Sequence, residues 1–156
     1  MNADPVNSAT TYPQAPALTD TELQDLLATA EIARVATMNI DGTVHLAPVW
    51  FRYDAPDILL GTQAVTRKVR NIERDPNVTV LVDVTTPTFV GAVMYGRAYV
   101  ERDHAEARRV DIFRRFMDPD AAQGFAAQLA AKWEPVIIRF HPERVVTFDY
   151  RKGFPV

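Results

Sequence analysis

The stretch VATMNIDGTVHLAPVWFRY, residues 35–53, decides the fold. Its first half, around Val35 and Thr37, and its second half, from Val44 to Tyr53, are rich in β-branched and aromatic residues, with Asp41-Gly42 between them. Asp-Gly supplies the positive φ angles of a primed two-residue turn, so the stretch reads as two antiparallel strands joined by a tight hairpin. Pro48 removes one ladder donor from the second strand and predicts an edge or a bulge, where neighbouring amides and carbonyls stay free to bond a flat heterocycle. Trp50 and Phe51 are adjacent, so one faces the interior and the other faces out. Both also read as ordinary core aromatics of an edge strand.

Working outward, Thr19 and Glu22 form a capping-box pair ahead of Leu23, Leu26, Leu27 and Ala30, which predicts a helix over 20–30. Downstream, residues 54–57 make a turn around Pro56 and 58–62 a third strand. A second helix over 67–74 is stopped by Asp75-Pro76. Strands follow over 78–84 and 89–101, the latter with Gly91 and Gly96 marking a bulge, a bend or a close approach. Asp103 with Glu106 opens a helix to 116, and Asp118-Pro119 opens another to 132. Strands over 136–141 and 145–149, separated by Pro142-Glu143-Arg144, close the chain. This order lacks the strand–helix alternation of a doubly wound sheet. It predicts an α+β fold in which an antiparallel sheet closes into a small barrel with peripheral helices.

Composition sets limits on function. With 156 residues, 47 % apolar and 24 % charged, the chain has the size and make-up of one globular domain. Residues 1–17 read as a flexible N-terminal arm without the basic and apolar stretches of a signal peptide, and 18–156 as the barrel domain. The net charge of −3 disfavours nucleic acid as a partner, and no apolar run is long enough to span a membrane. There is no cysteine, hence no disulfide, thiolate site or cysteine nucleophile, and a cytoplasmic location fits. His45, His104 and His141 have no ligand spacing, so no metal site is expected.

The chemistry concentrates in 61–76, GTQAVTRKVRNIERDP. A strand ends at Gly61-Thr62, and a short helix follows with Thr66 as N-cap and Arg67, Lys68 and Arg70 near its start. The first amides of a helix lack internal partners and sit at the positive end of its dipole, so they attract an anion. Cations there are unfavourable unless an anion joins them. A phosphate among Lys68, Arg67, Thr62 and Thr66 satisfies that demand; a solvated basic helix face is the alternative. Val69 and Ile72 bury the helix's other side, and Asn71 either donates to a ligand or bonds locally. Phe89, Met94 and Tyr95 form a ligand wall or simply barrel core. No nucleophile elbow, phosphate loop or dinucleotide fingerprint is present, so a bound cofactor would carry any chemistry.

Taken in order, Arg34-Val35-Ala36-Thr37, Asp41-Gly42, Pro48-Val49-Trp50-Phe51, the Thr66-Arg67-Lys68 to Asp75-Pro76 segment, Val80-Leu81-Val82-Asp83 and Gly96-Arg97-Ala98 resemble the pyridoxamine 5'-phosphate oxidase-like split β-barrels. The likeness runs from about Leu18 to Asp149 and is closest to the flavin/deazaflavin oxidoreductases of actinobacteria. It implies a homodimer with cofactor sites at the subunit interface and either FMN or the deazaflavin F420 as cofactor. By the same resemblance Lys68, Arg67, Thr62 and Thr66 hold the cofactor phosphate, and the ring lies against Pro48, Val49, Trp50 and Phe51. Gln63, next to Gly61 and Thr62, is implied near the polar ring edge, and the partner's strand near Phe89 closes the other side. The activity implied is hydride transfer to a small molecule. A non-catalytic flavin, deazaflavin or haem storage protein on the same barrel is the alternative. The basic and aromatic C-terminal set that grips the vitamin substrate in the oxidases proper is not found.

Overall fold

The computed structural model describes residues 15–153. Six strands, β1 (Ile32–Met38), β2 (Val44–Asp54), β3 (Asp57–Gln63), β4 (Asn77–Val84), β5 (Val90–Glu101) and β6 (Pro135–Asp149), close into an antiparallel barrel in the order β1-β2-β3-β6-β5-β4. Among the described residues four α-helices accompany them: α1 (Asp20–Thr29), α2 (Arg67–Arg74), α3 (Ala105–Phe113) and α4 (Pro119–Ala130). The architecture is the α+β barrel that the strand order predicts.

Alternation fills the interior. Ala33, Val35 and Thr37 of β1 point inward, and Phe51, Ile58, Leu60, Val80, Val82, Met94, Ile138 and Phe140 complete the core. Burying each large aliphatic or aromatic side chain contributes about 1.5–3 kcal/mol. The capping box of Thr19 and Glu22 starts α1, whose Leu26 and Leu27 join the core ahead of the first residue of β1. Helix α2 belongs to the other end of the barrel. It connects the last residue of β3 to the first of β4 and adds Val69 and Ile72 to the core. Helices α3 and α4 pack outside, joining Ile112 to Leu59 and Ile137, and Phe113 to Ala122 and Ala126.

Three local expectations are corrected. The first hairpin is wider than a primed two-residue turn: Asn39 N–H donates to Thr43 O (2.9 Å), Gly42 N–H donates to Asn39 O (3.0 Å), and only Gly42 has positive φ. The Asp41 carboxylate accepts from the Thr43 amide and hydroxyl, which keeps Asp41 in ordinary backbone space. The two closing strands are a single strand, β6, whose register against β5 shifts between Tyr95 and Gly96. A Cβ on Gly96 would meet His141 O at 2.0 Å, so glycine is required where the bulge absorbs Pro142. The third helix has its N-cap one residue past the expected Asp103, at His104 in the left-handed region, and ends at Phe113 rather than 116. The expected flexible arm falls mostly outside the described residues, but its last part is anchored: Asp149 N–H donates to Pro16 O and Lys152 Nζ to Ala17 O.

One feature positions the functional region. Strands β2 and β3 pair only from Asp54↔Asp57 to Phe51↔Leu60. Beyond that point residues 44–50 pair with β1 alone, and 61–63 with β6 alone. The barrel forks there.

Candidate functional site

The fork lies at the α2 end of the barrel, because β3 finishes at Gln63 and α2 begins four residues later. On the β2 lip are Pro48, Val49 and Trp50; on the β3 lip are Gly61, Thr62 and Gln63. The two stretches singled out in the sequence thus flank one opening, and each has one edge without a strand partner. Pro48 is exposed on the outer face, consistent with the edge character its missing N–H requires.

Thr66 is the N-cap of α2, but its side chain accepts no hydrogen bond from the helix amides. Its hydroxyl instead donates to Gln63 O at 3.0 Å, folding the 63–66 turn back on β3. The first turn of α2 carries no acidic residue, and Arg67 and Arg70 are exposed. Lys68 differs from both. It is partly buried, makes no hydrogen bond or ion pair with any described residue, and burial pushes its ammonium below the usual lysine range. Thr62 is buried one strand position before Gln63. An uncapped helix start and a partly desolvated ammonium, unpaired among the described residues, form a donor set suited to a phosphate.

Other expected site residues are committed to the fold. The Phe51 side chain is fully buried in the barrel core, so that aromatic packs as core rather than against a ligand. The Trp50 ring stacks on Phe116 (centroids 4.6 Å apart, 9° between planes) and meets Phe113 edge-on. Of this pair only the Trp50 backbone is left for a ligand, because Phe51 pairs with Leu60 and its carbonyl accepts from Arg115. Asn71 is buried, and its Nδ2 donates to Thr37 Oγ1 (3.0 Å) and Asn39 Oδ1 (2.9 Å), tying α2 to β1; both its amide hydrogens are spent locally. The open side of Gly61 is filled by Arg109, which a Cβ would meet at 2.8 Å. Phe89 precedes β5 at the end where Val84 pairs with Val90, away from α2, and one chain therefore does not bring it to Lys68. Met94 is buried, whereas Tyr95 faces out.

Two arginines escaped the sequence reading. Arg109 has no exposed surface, and it sits on the stripe of Ala105, Ile112 and Phe113 that buries one side of α3. A cation at a position of the apolar period was the available signal. Arg115, just past α3, donates to the carbonyls of Ala28, Ala30 and Phe51 and lies over the Phe51 ring at 5.1 Å.

A separate groove of about 450 Å³ runs along the outer barrel face, lined in part by Met38, Val44, Thr79 and Tyr95. It does not include Thr62 or Lys68. Among the described residues no group of three or more His, Cys, Asp or Glu is placed to hold a metal ion, and no helix is long and apolar enough to cross a membrane.

Comparison with known proteins agrees with this architecture. A search of curated sequences returns no match. Among solved structures, a conserved hypothetical protein of Mycobacterium tuberculosis, Rv2991, is 27 % identical over 94 % of this chain and 95 % of its own, with a TM-score of 0.78. An F420 reductase matches at 21 % identity over 79 % of this chain and 94 % of its own (TM-score 0.64). The haem storage protein HutZ of Vibrio cholerae matches at 16 % over 86 % and 95 % (TM-score 0.66). At these lower identities the likeness is one of fold. The sequence model of the pyridoxamine 5'-phosphate oxidase family matches residues 19–149, from the capping threonine of α1 to the last residue of β6. Since that match spans most of the chain and the whole barrel, the chain belongs to the pyridoxamine 5'-phosphate oxidase family.

Proposed function

We propose that this protein is an oxidoreductase that holds F420 or FMN and transfers a hydride between that cofactor and a small molecule, working as a homodimer. The observation that carries the reading is Lys68: a partly buried ammonium without a counter-charge, at the start of a helix whose first amides are uncapped. Desolvating a charge is costly unless an anion joins it, and a cofactor phosphate supplies one. Lys68 and Arg67 hold that phosphate, with the Thr62 hydroxyl, and the Thr66 hydroxyl once it exchanges its bond to Gln63 O for one to a phosphate oxygen, as further donors. The edge of β2 from Pro48 to Trp50, which has no strand partner on the fork side, lies against a planar ring, and the Gln63 side chain serves its polar rim. When bound, the cofactor supplies the hydride chemistry; the chain fixes the ring's position and excludes water from one side of it.

The dimer is proposed on two grounds. Met38, Val44 and Leu46, neighbours on the outer faces of β1 and β2, are 39 %, 60 % and 65 % exposed, an apolar sheet face that none of the described helices covers. Phe89, exposed at the barrel end away from Lys68, reaches a shared site only as Phe89 of the partner subunit. Anaerobic incubation of the protein with reduced F420 or FMN and an artificial electron acceptor tests the reading. Acceptor reduction at a rate proportional to protein supports it; binding without turnover moves the assignment to cofactor storage.

A further inference from the structure

Helix α3 and the turn after it grip both lips of the fork. On the β2 side, Arg115 donates to Phe51 O, at the last residue paired with β3, and the Trp50 ring is clamped by Phe113 and Phe116. On the β3 side, the Arg109 stem crosses Gly61 and its guanidinium donates to Thr62 O (3.4 Å) and Ala126 O (3.1 Å). Neither guanidinium forms an ion pair with a described residue, and burial lowers the pKa of both. The Arg109 Nε has no hydrogen-bond partner at all. An unpaired buried cation is a poor way to stabilise a fold, since an apolar side chain of similar volume does as well or better. What Arg109 adds is a directed grip on the backbone of the β3 lip.

We propose that Arg109 is a positioning residue, which with Arg115 makes α3 a brace that fixes the spacing of the fork and so presents Thr62 and Gln63 to the cofactor. The cofactor part rests on the function proposed above; the brace itself does not. Glycine at 61 belongs to the same device, because any side chain there would displace the arginine. Helix α4 enters through Ala126, so the helical pair and the fork move together.

The test replaces Arg109 by Met, which keeps the stem and removes the grip, and by Lys, which can still reach a carbonyl. Amide hydrogen exchange in the ligand-free protein is followed alongside thermal unfolding and FMN and F420 titrations. The expected result for Arg109→Met is at least tenfold faster exchange confined to residues 61–66, with Tm unchanged or raised. Arg109→Lys restores slow exchange. Whichever cofactor the unmodified protein binds should then bind Arg109→Met at least tenfold more weakly. Unchanged exchange at 61–66 overturns the brace, as does a uniform rise across the whole barrel with a lowered Tm. If neither cofactor binds the unmodified protein, the proposed function falls while the exchange data still decide the brace.

Discussion

Replacing Lys68 by Met or Ala separates the two things an unpaired lysine does. In the free protein its folded-state pKa is lowered by burial, so the unfolded chain binds the proton more tightly. The charge therefore costs stability below the folded pKa, and that cost disappears as pH rises from the folded toward the unfolded value. Removing the charge should leave the ligand-free fold as stable as before, or slightly more so. In the complex the sign reverses. A charge-assisted contact to a phosphate is worth roughly 1.5–3 kcal/mol, which corresponds to a loss of about 10- to 150-fold in affinity. Because a depressed lysine loses its proton at lower pH than an ordinary one, binding should also weaken as pH rises toward the lysine range in the unmodified protein and much less in Lys68→Arg, which stays charged there. The assay is equilibrium fluorescence titration with FMN and with F420 at fixed ionic strength, beside chemical denaturation of each variant. Affinity within twofold of the unmodified protein in Lys68→Met would refute the reasoning, because the ammonium would then be a bystander.

Three further outcomes follow from the packing. Gly61→Ala places a Cβ 2.8 Å from Arg109 Cγ and 3.2 Å from Cδ, and overpacking there should cost about 1–3 kcal/mol in denaturant unfolding. Asn71→Ala strips the bonds to Thr37 and Asn39 and should cost about 1–3 kcal/mol, while cofactor affinity per folded molecule stays as it was; a selective loss of affinity would return Asn71 to the site. The Asp149 carboxyl is held below its usual range chiefly by the Arg151 hydrogen bond. Its stabilisation is present above the unfolded pKa of about 3.9 and fades as pH falls through the lower folded value, so Asp149→Asn should flatten the acid limb of a stability profile below about pH 4.

Much of this architecture was readable because local signals agreed with the global fold. The capping box of α1, the Asp75-Pro76 stop after α2 and the β-branched run of β4 each act over a few residues. Pro48 told of an unpaired edge, and the fork is where that edge lies. What failed depended on contacts far apart in sequence. Asp41-Gly42 spelled a primed turn, but the Asp41 carboxylate satisfies Thr43 and widens the loop. Pro142-Glu143-Arg144 looked like a break because a proline costs a ladder bond, yet Gly96 on the neighbouring strand makes room for a bulge and β6 runs on. Trp50 and Phe51 carried both a ligand and a core meaning, until α3 covered one and the barrel enclosed the other. The basic turn at Arg67-Lys68 named the anion candidate, but the sequence could not distinguish the partly buried Lys68 from exposed Arg67 and Arg70; only the fold assigns that difference.

The most direct test of the central claim is a fluorescence titration of the purified full-length protein with FMN and with F420 in moderate salt, repeated with Lys68→Met. The account predicts saturable binding of at least one cofactor at one site per chain, weakened at least tenfold by the substitution. Binding of neither by the unmodified protein would contradict it, leaving the forked barrel as a family fold without the family's cofactor.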